Sequence, residues 1–349
     1  MTGLKIEDVG FGGNGVGRSE GKVFFVPFTI DGEEVSVRIT KQKKNFAEAQ
    51  LLSVDIPSSF RREPGCPYFG RCGGCSYQHI EYDRQLEIKA RQVEQTLKRV
   101  GRLNDVPMHP IIAAPNEYGY RNRIRIHVSD GVAGFFAVNR LELVDIEFCS
   151  IASDAVNESL TELRSRVLRD GDYTLAERRQ DFFEQTHDAM AELMLAEVEK
   201  TVRKGQSLLV DAYCGAGLFA KHLAGIFKQV IGIEENQFAV QKAQQTAGAN
   251  ERYYAGDVAA HLSSVLKEAD ASTTTLLLDP PAIGISPAVA DSILASHPSE
   301  ILYVSCNPAT LARDLALLSS RYRIESVTPL DMFPQTAGIE VVVHLIFVS

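Results

Sequence analysis

Apolar and polar positions change period twice along the chain. Up to about residue 56 they alternate in twos. Val23-Phe24-Phe25-Val26-Pro27-Phe28 and Glu34-Val35-Ser36-Val37-Arg38-Ile39 flank a turn at Asp31-Gly32, which predicts the short strands of a small all-β, OB-like barrel. Gly10, Gly12, Gly13, Gly15 and Gly17 precede them with no helix signal behind, so they read as β turns rather than a phosphate loop. From Tyr82 to Val100 the period lengthens: Leu86, Val93, Leu97 and Val100 recur at helical spacing and predict a helix with one core face. Tyr120 to Val128 returns to a period of two, with Arg121, Arg123 and Arg125 on one strand face and Ile124, Ile126 and Val128 on the other. Asp130-Gly131 then turns the chain into Phe135 to Ile146, and a helical stretch covers Asp154 to Leu168.

From about Asp181 onward, strand-like runs alternate with helical ones. The strands fall at Ser207 to Ala212, Gln229 to Ile233, a third ending at Tyr253-Tyr254-Ala255, Thr275 to Leu278, Ile301 to Val304, Tyr322 to Pro329 and Val341 to Val348. Such alternation predicts an α/β, doubly wound, mostly parallel Rossmann-like sheet. The last two strands have no helix between them and are expected as an antiparallel hairpin at one end. Three domains follow: the barrel over 1–56, a central α+β domain over 57–180 and the doubly wound domain over 181–349.

Composition narrows the class. A chain of 349 residues, 45% hydrophobic and 23% charged, buries a sizeable core. No apolar run approaches the ~18 to 20 residues that span a bilayer, and the N-terminus lacks a signal-peptide layout, so no membrane partner and a cytoplasmic location are expected. No obligate protein partner is evident. In a reducing compartment the six cysteines point to ligands or catalysts rather than disulfides. The net charge of -9 argues against nucleic acid in bulk. The acidity is local, however: residues 61–150 carry 13 Lys+Arg against 11 Asp+Glu, whereas 151–349 carry 16 against 26. RNA binding therefore has to rest on strips such as Arg121, Arg123 and Arg125, which suit a phosphate backbone or, equally, a solvated face.

The chemistry concentrates at strand ends. Asp211 closes the first strand of the doubly wound region and runs into Tyr213-Cys214-Gly215-Ala216-Gly217. A strand, a glycine turn and a helix N-terminus form a dinucleotide-type cradle, but an acid before Gly215 and Gly217 suits a cationic ligand better than a pyrophosphate. Glu234 closes the next strand about 20 residues on, where ribose hydroxyls bind in such folds. Asp257 follows the third strand and suits an adenine. S-adenosylmethionine fits these three acids better than NAD. Asp279, in Asp279-Pro280-Pro281, leaves the fourth strand stiffly at the switch-point crevice and reads as a residue beside the reacting groups, or else as a turn aspartate. Cys306 sits in Ser305-Cys306-Asn307-Pro308, between a strand and a helix with Asn307 as N-cap. The positive end of the helix dipole is expected to ease its ionisation and make it a nucleophile. The plainer alternative is a small buried apolar residue. Cys66, Cys72 and Cys75 form a C-x5-C-x2-C knuckle that Cys149 completes, a set suited to zinc or to an iron-sulfur cluster.

Taken in order, Cys66, Cys72, Cys75 and Cys149, Phe183-Glu184-Gln185, Asp211 to Gly217, Asp279-Pro280-Pro281, Ser305-Cys306-Asn307-Pro308-Ala309-Thr310 and Glu340 resemble the class I RNA (uracil-5-)-methyltransferases, in the iron-sulfur branch with an N-terminal TRAM barrel. The resemblance spans nearly the whole chain. It implies that the four cysteines hold a four-iron four-sulfur cluster, that Cys306 is the nucleophile and Glu340 the base, and that S-adenosylmethionine is the methyl donor. It also implies that Gln185, Tyr213, Glu234, Asp257 and Asp279 contact cofactor or uracil and that Phe183 stacks on the target base. The chain departs from the pattern at Ala282, before Gly284, where relatives carry a basic residue, at His187, where Asn is usual, and at Gly338, where histidine is common two residues before the base.

The chemistry needs these residue types. Carbon 5 of uracil is too weak a nucleophile to take a methyl unaided. A thiolate added at carbon 6 makes it enolate-like, and a carboxylate must then remove the carbon-5 proton to free the enzyme. The ring has to leave its stack for this, and an aromatic side chain offsets the loss by ~1 to 3 kcal/mol. The resulting expectation is a 5-methyluridine-forming enzyme of large-subunit ribosomal RNA. Transfer RNA is the alternative substrate; a weakly active RNA-binding or folding factor of the same fold, or a protein whose cysteine site does the work, are alternative roles.

Overall fold

The computed structural model describes residues 2–166, 169–178 and 185–348. Among them, β1 (Thr2–Val9), β2 (Asn14–Ser19), β3 (Lys22–Pro27), β4 (Glu34–Gln42) and β5 (Phe46–Ile56) close a barrel in the order β1-β2-β3-β5-β4. Alternation puts Leu4, Ile6, Phe24, Val26, Val35 and Val37 inside it. Of the glycine run, Gly12 and Gly13 are left-handed turn residues, but Gly15 and Gly17 lie within β2, contrary to a run made wholly of turns. Close packing explains them: a Cβ would fall 1.9 Å from Thr29 Oγ1 at Gly15 and 2.6 Å from the Lys5 carbonyl at Gly17.

Helix α1 (Tyr82–Val100) has the expected bounds but not the expected face. Val100 is exposed and Leu86 only half buried; the buried stripe is Gln85, Ile88, Lys89, Gln92, Val93 and Leu97. Val93 and Leu97 join Leu311, Ala312 and Val327 in one cluster, so α1 packs against the C-terminal domain, whereas Ile88 packs with Val9, Ile30, Tyr77 and Ile80. Strands β6 (Arg123–Ser129), β7 (Val132–Phe136), β8 (Leu143–Asp145) and β9 (Gly171–Ala176) form a second sheet, ordered β8-β7-β6-β9, against α2 (Asp154–Arg164). Strand β9 carries no apolar run and was not expected. It exists because β6 offers a full antiparallel edge, pairing Arg123 with Ala176 through Val128 with Gly171.

The third sheet comprises β10 (Leu208–Ala212), β11 (Gln229–Glu234), β12 (Glu251–Ala255), β13 (Thr274–Leu278), β14 (Glu300–Ser305), β15 (Tyr322–Leu330) and β16 (Glu340–Phe347). Around it lie α3 (Asp188–Thr201), α4 (Leu218–Leu223), α5 (Gln237–Gln245), α6 (Val258–Glu268), α7 (Pro287–Ser296) and α8 (Pro308–Leu318). The order β12-β11-β10-β13-β14-β16-β15 reverses direction between β10 and β13, which opens the switch-point crevice at their carboxyl ends. The last two strands do pair antiparallel, but β16 inserts between β14 and β15 rather than trailing at the edge. Its register sets Val341 opposite Ser305 and Glu340 opposite Leu330, so Glu340 arrives beside Cys306. Among the described residues no helix is long and apolar enough to cross a membrane.

One ion pair joins α1 to the loop that leads into β16. Lys89 and Asp331 bond to each other with both side chains fully buried, and Lys89 Nζ also donates to the Phe333 carbonyl at 3.0 Å. Removing one partner strands a buried charge, whereas removing both does not. Lys89→Met is expected to lower the unfolding free energy by about 3 to 5 kcal/mol in urea titrations, with Lys89→Met/Asp331→Leu recovering most of the loss. A single variant within about 0.5 kcal/mol of wild type would contradict this account of the pair.

Candidate active site

A cleft of about 880 Å³ opens at the crevice, and its wall includes Gln185, Tyr213, Gly215, Gly217, Glu234, Asp279, Cys306 and Glu340. Backbone geometry builds its floor. After β10 the chain turns through Tyr213, Gly215 and Gly217, all at positive φ (67°, 55° and 87°). The Tyr213 and Cys214 amides donate to the Ile233 carbonyl at 2.8 and 3.0 Å, which fastens the turn to β11. Gly217 is required because a Cβ there would lie 2.9 Å from the Tyr253 hydroxyl. Glu234, at the end of β11, accepts from the Gly215 amide at 3.1 Å and the Asn236 amide at 2.7 Å, so its carboxylate is aimed before any ligand arrives.

Two of the acids read from the sequence stand outside the cleft lining, one behind it and one at its margin. Asp211 is fully buried behind the glycine turn, where one carboxyl oxygen accepts from the Ala220 amide at 2.9 Å and the other has no partner. Burial holds its pKa well above the usual carboxylate range, and it braces the turn from behind rather than facing a ligand. Asp257 caps α6 through the Ala260 amide at 2.8 Å, beside the cleft-lining Val258. Phe183 lies outside the described residues. Gln185 is anchored through its carbonyl, which accepts from Asn122 Nδ2 at 3.0 Å.

The reacting end of the cleft brings together Asp279, Cys306 and Glu340. Burial, then the charge of Glu234, pushes the Asp279 carboxyl up to about 7. Burial, then Asp279, holds Glu340 well above its ordinary value. Cys306 is exposed at the mouth, and α8 does begin at Pro308 behind the Asn307 cap, whose Oδ1 accepts from the Ala309 amide at 3.0 Å. The expected easy ionisation is nevertheless overturned. Partial burial first, then Glu340 and Asp279, push the thiol up to about 11. Asn307 Nδ2 at 3.1 Å and Thr310 Oγ1 at 2.9 Å both donate to the Ala282 carbonyl, which ties the loop of Cys306 to the loop of Asp279.

The three departures have local reasons. His187 caps α3, its Nδ1 accepting from the Met190 amide at 3.4 Å, the task an asparagine would perform, and its ring stacks on Tyr120. At Gly338 a Cβ would meet the Phe333 ring at 2.8 Å, leaving no room for histidine. Gly284 has a φ of +77° and faces Asp314 Oδ2 at 2.2 Å from an added Cβ, while Arg313 of α8 donates to the Ile283 carbonyl at 2.8 Å, so a base borders this loop without preceding the glycine. Sequence reading missed Arg178, Asp188, Lys221 and Lys242, which also line the cleft. No spacing signal marks them, since they converge only through folding.

Cys66, Cys72, Cys75 and Cys149 line one smaller cavity of about 120 Å³ together with Arg121. Burial raises the thiols of Cys72, Cys75 and Cys149, that of Cys75 to about 12, and neighbouring cysteines in the set add to the rise in each. Among the described residues no three His, Cys, Asp or Glu side chains are grouped to chelate a single metal ion. Arg121 precedes β6 in an isolated bridge to Ala152 and faces this cavity, so the arginine row is broken. Arg125 pairs with Asp172, whose other oxygen meets His127 Nδ1. Arg123 opens β6, opposite Ala176 of β9.

Comparison with known proteins adds the following. A family model for tRNA (uracil-5-)-methyltransferase matches residues 262–347, and a TRAM domain model matches residues 4–52. An uncharacterized RNA methyltransferase of Thermosynechococcus vestitus is 30% identical, the match covering 98% of this chain and 97% of that protein. Another, of Bdellovibrio bacteriovorus, is 32% identical over 98% of this chain and 94% of that protein. The crystal structure of Pyrococcus abyssi tRNA (uracil-54, C5)-methyltransferase in complex with S-adenosyl-L-homocysteine superposes with a TM-score of 0.75 at 24% identity, covering 99% of this chain and 100% of that one, and so shares its fold.

The charges around Cys306 set its reactivity toward alkylation. Because the raised thiol is neutral until high pH, iodoacetamide labelling of Cys306 should accelerate as pH rises and reach half its limiting rate near pH 11. Asp279→Asn removes one repelling charge and is expected to shift that midpoint downward. A wild-type midpoint below about 8.5, the value of an ordinary cysteine, contradicts the account.

Proposed function

The chain belongs to the RNA (uracil-5-)-methyltransferase family and is an S-adenosylmethionine-dependent enzyme, and from that premise we propose that it methylates carbon 5 of a uridine through a Cys306 adduct that Glu340 releases. The observation that carries this reading is the register of β16. It sets a carboxylate at the entrance of one strand beside the cysteine at the exit of its neighbour, in the wall of one cleft.

The residues act as follows. The Cys306 thiolate forms a sulfur–carbon bond at carbon 6, and the ring's π electrons move onto its oxygen as an enolate, which makes carbon 5 nucleophilic. Tyr213, the Gly215–Gly217 turn and Glu234 would hold S-adenosylmethionine, whose methyl group carbon 5 would take with S-adenosylhomocysteine as the leaving group. Glu340 as carboxylate then accepts the carbon-5 proton, the carbon 5–carbon 6 double bond reforms and the thiolate departs. Glu340's raised basicity favours this transfer. Asp279 lies between the two groups electrostatically, raising both. Gln185, Asp257 and Phe183 complete the cofactor and base contacts in this reading, and Arg123 and Arg125 belong to the RNA-facing surface.

The substrate of the proposal is a large-subunit ribosomal uridine, supported by the combination of a TRAM barrel with four cysteines. Transfer RNA is the second reading, favoured by the full-length fold likeness to a transfer RNA enzyme. The four cysteines are assigned a four-iron four-sulfur cluster. Their convergence on one cavity, in the spacing that resembles the iron-sulfur branch, supports it. A cluster there supplies a cationic inorganic core that keeps buried, mutually repelling thiolates ionised.

Two measurements test these assignments. With tritiated S-adenosylmethionine and bulk RNA from a strain lacking the gene, Cys306→Ala should transfer no methyl. Glu340→Gln should accumulate a protein–RNA adduct that survives denaturation, and wild-type label should appear as 5-methyluridine in the ribosomal fraction. Both variants matching wild type would overturn the mechanism, and label confined to transfer RNA would select the second substrate. Anaerobically purified protein should absorb in the blue and contain iron and sulfide; a colourless protein containing zinc would remove the cluster.

A further inference from the structure

Resting on that reading, we propose that Gln335 is a positioning residue for proton removal: it fixes the irregular loop between β15 and β16 that delivers Glu340. Residues 331–339 have no regular structure to hold them, yet Glu340 must reach the same point beside Cys306 in every molecule. Gln335 is completely buried in a left-handed conformation (φ 68°), a backbone state a non-glycine residue keeps only when its surroundings enforce it.

Those surroundings come from three places. The Ser76 and Tyr77 amides, directly after Cys75, donate to the Gln335 carbonyl at 3.1 and 2.9 Å. Gln85 of α1 bonds it twice, its Oε1 accepting from the Gln335 amide at 3.1 Å and its Nε2 donating to Gln335 Oε1 at 3.1 Å. Arg62 donates to Gln335 Oε1 at 3.3 Å and pairs with Glu117 at 2.6 Å, while Gln335 Nε2 donates to that same Glu117 at 2.9 Å. A primary amide is needed, since it must donate to a carboxylate and accept from a guanidinium at once. Gln335 does not line the cleft, so it works through Glu340 alone. The contact with Ser76 and Tyr77 also makes the cysteine knuckle a support for the base, which gives a site remote from the uracil a role in one step of the cycle.

The test separates the two halves of that cycle. Wild type, Gln335→Gly, Arg62→Met and Glu340→Gln are incubated with tritiated S-adenosylmethionine and bulk RNA from a strain lacking the gene. Single-turnover methyl transfer, denaturation-resistant adduct and release of methylated RNA are then followed. Gln335→Gly suits the backbone angle and keeps the carbonyl, so only the side-chain ties are lost. It should leave methyl transfer within about twofold while slowing release by about tenfold or more, with adduct accumulating as in Glu340→Gln. Arg62→Met, at a half-exposed position, should shift release in the same direction by a smaller factor. Equal loss of transfer and release in both variants, or unchanged release, would overturn the proposal by showing a merely structural role or none. Absence of adduct in Glu340→Gln would instead defeat the underlying mechanism, so the two failures are distinguishable.

Discussion

Like charges crowded into a poorly solvated cleft are the constraint on which the site depends. Asp279, Glu340 and the Cys306 thiol line one wall with Glu234 nearby. Burial first, then neighbouring charge, holds Glu340 and Cys306 above their ordinary values and pushes Asp279 up to about 7. A nucleophile kept neutral in this way does not react with solvent electrophiles.

Most of the C-terminal fold was legible in the sequence because parallel strands buried on both faces are nearly continuous apolar runs. Leu276-Leu277-Leu278 and Ile301-Leu302-Tyr303-Val304 have no other use. The barrel was legible from its alternation. What escaped was whatever depends on a partner rather than on local pattern. Strand β9 is polar and exists only because β6 has an open edge. The buried face of α1 carries Gln85, Lys89 and Gln92, which read as surface residues until Gln335, Asp331 and the Gly10 carbonyl are seen to receive them.

At the site, Cys306, Asp279, Glu234 and the glycine turn were read at strand ends and Glu340 from the resemblance, and all line the cleft. The direction of the thiol's ionisation was not, because a helix terminus is visible in sequence while burial, and the acids that follow β13 and open β16, appear only on folding. Asp211 was misplaced for a related reason. Sequence locates it at the end of β10 but cannot say on which side of the glycine turn its carboxyl falls, and burial decides that it supports the turn from behind. Arg121 shares the period of Arg123 and Arg125 and still faces the cysteines, since β6 begins only at Arg123.

The insertion of β16 between β14 and β15 explains how two groups 34 positions apart in sequence meet so economically. Adjacent antiparallel strands place the end of one beside the start of the other, so the residue after β14 and the first residue of β16 share an edge by hydrogen-bond register alone. Backbone pairing fixes this far more firmly than side-chain contacts do, and it leaves only the incoming loop free to vary. That loop carries a fully buried ion pair and a buried amide in a left-handed conformation, next to a glycine under the Phe333 ring. Buried polar groups are retained against an apolar replacement where they specify one arrangement among several. Here the arrangement they specify is the approach of a carboxylate to the edge of a sheet whose strands already hold the sulfur in place.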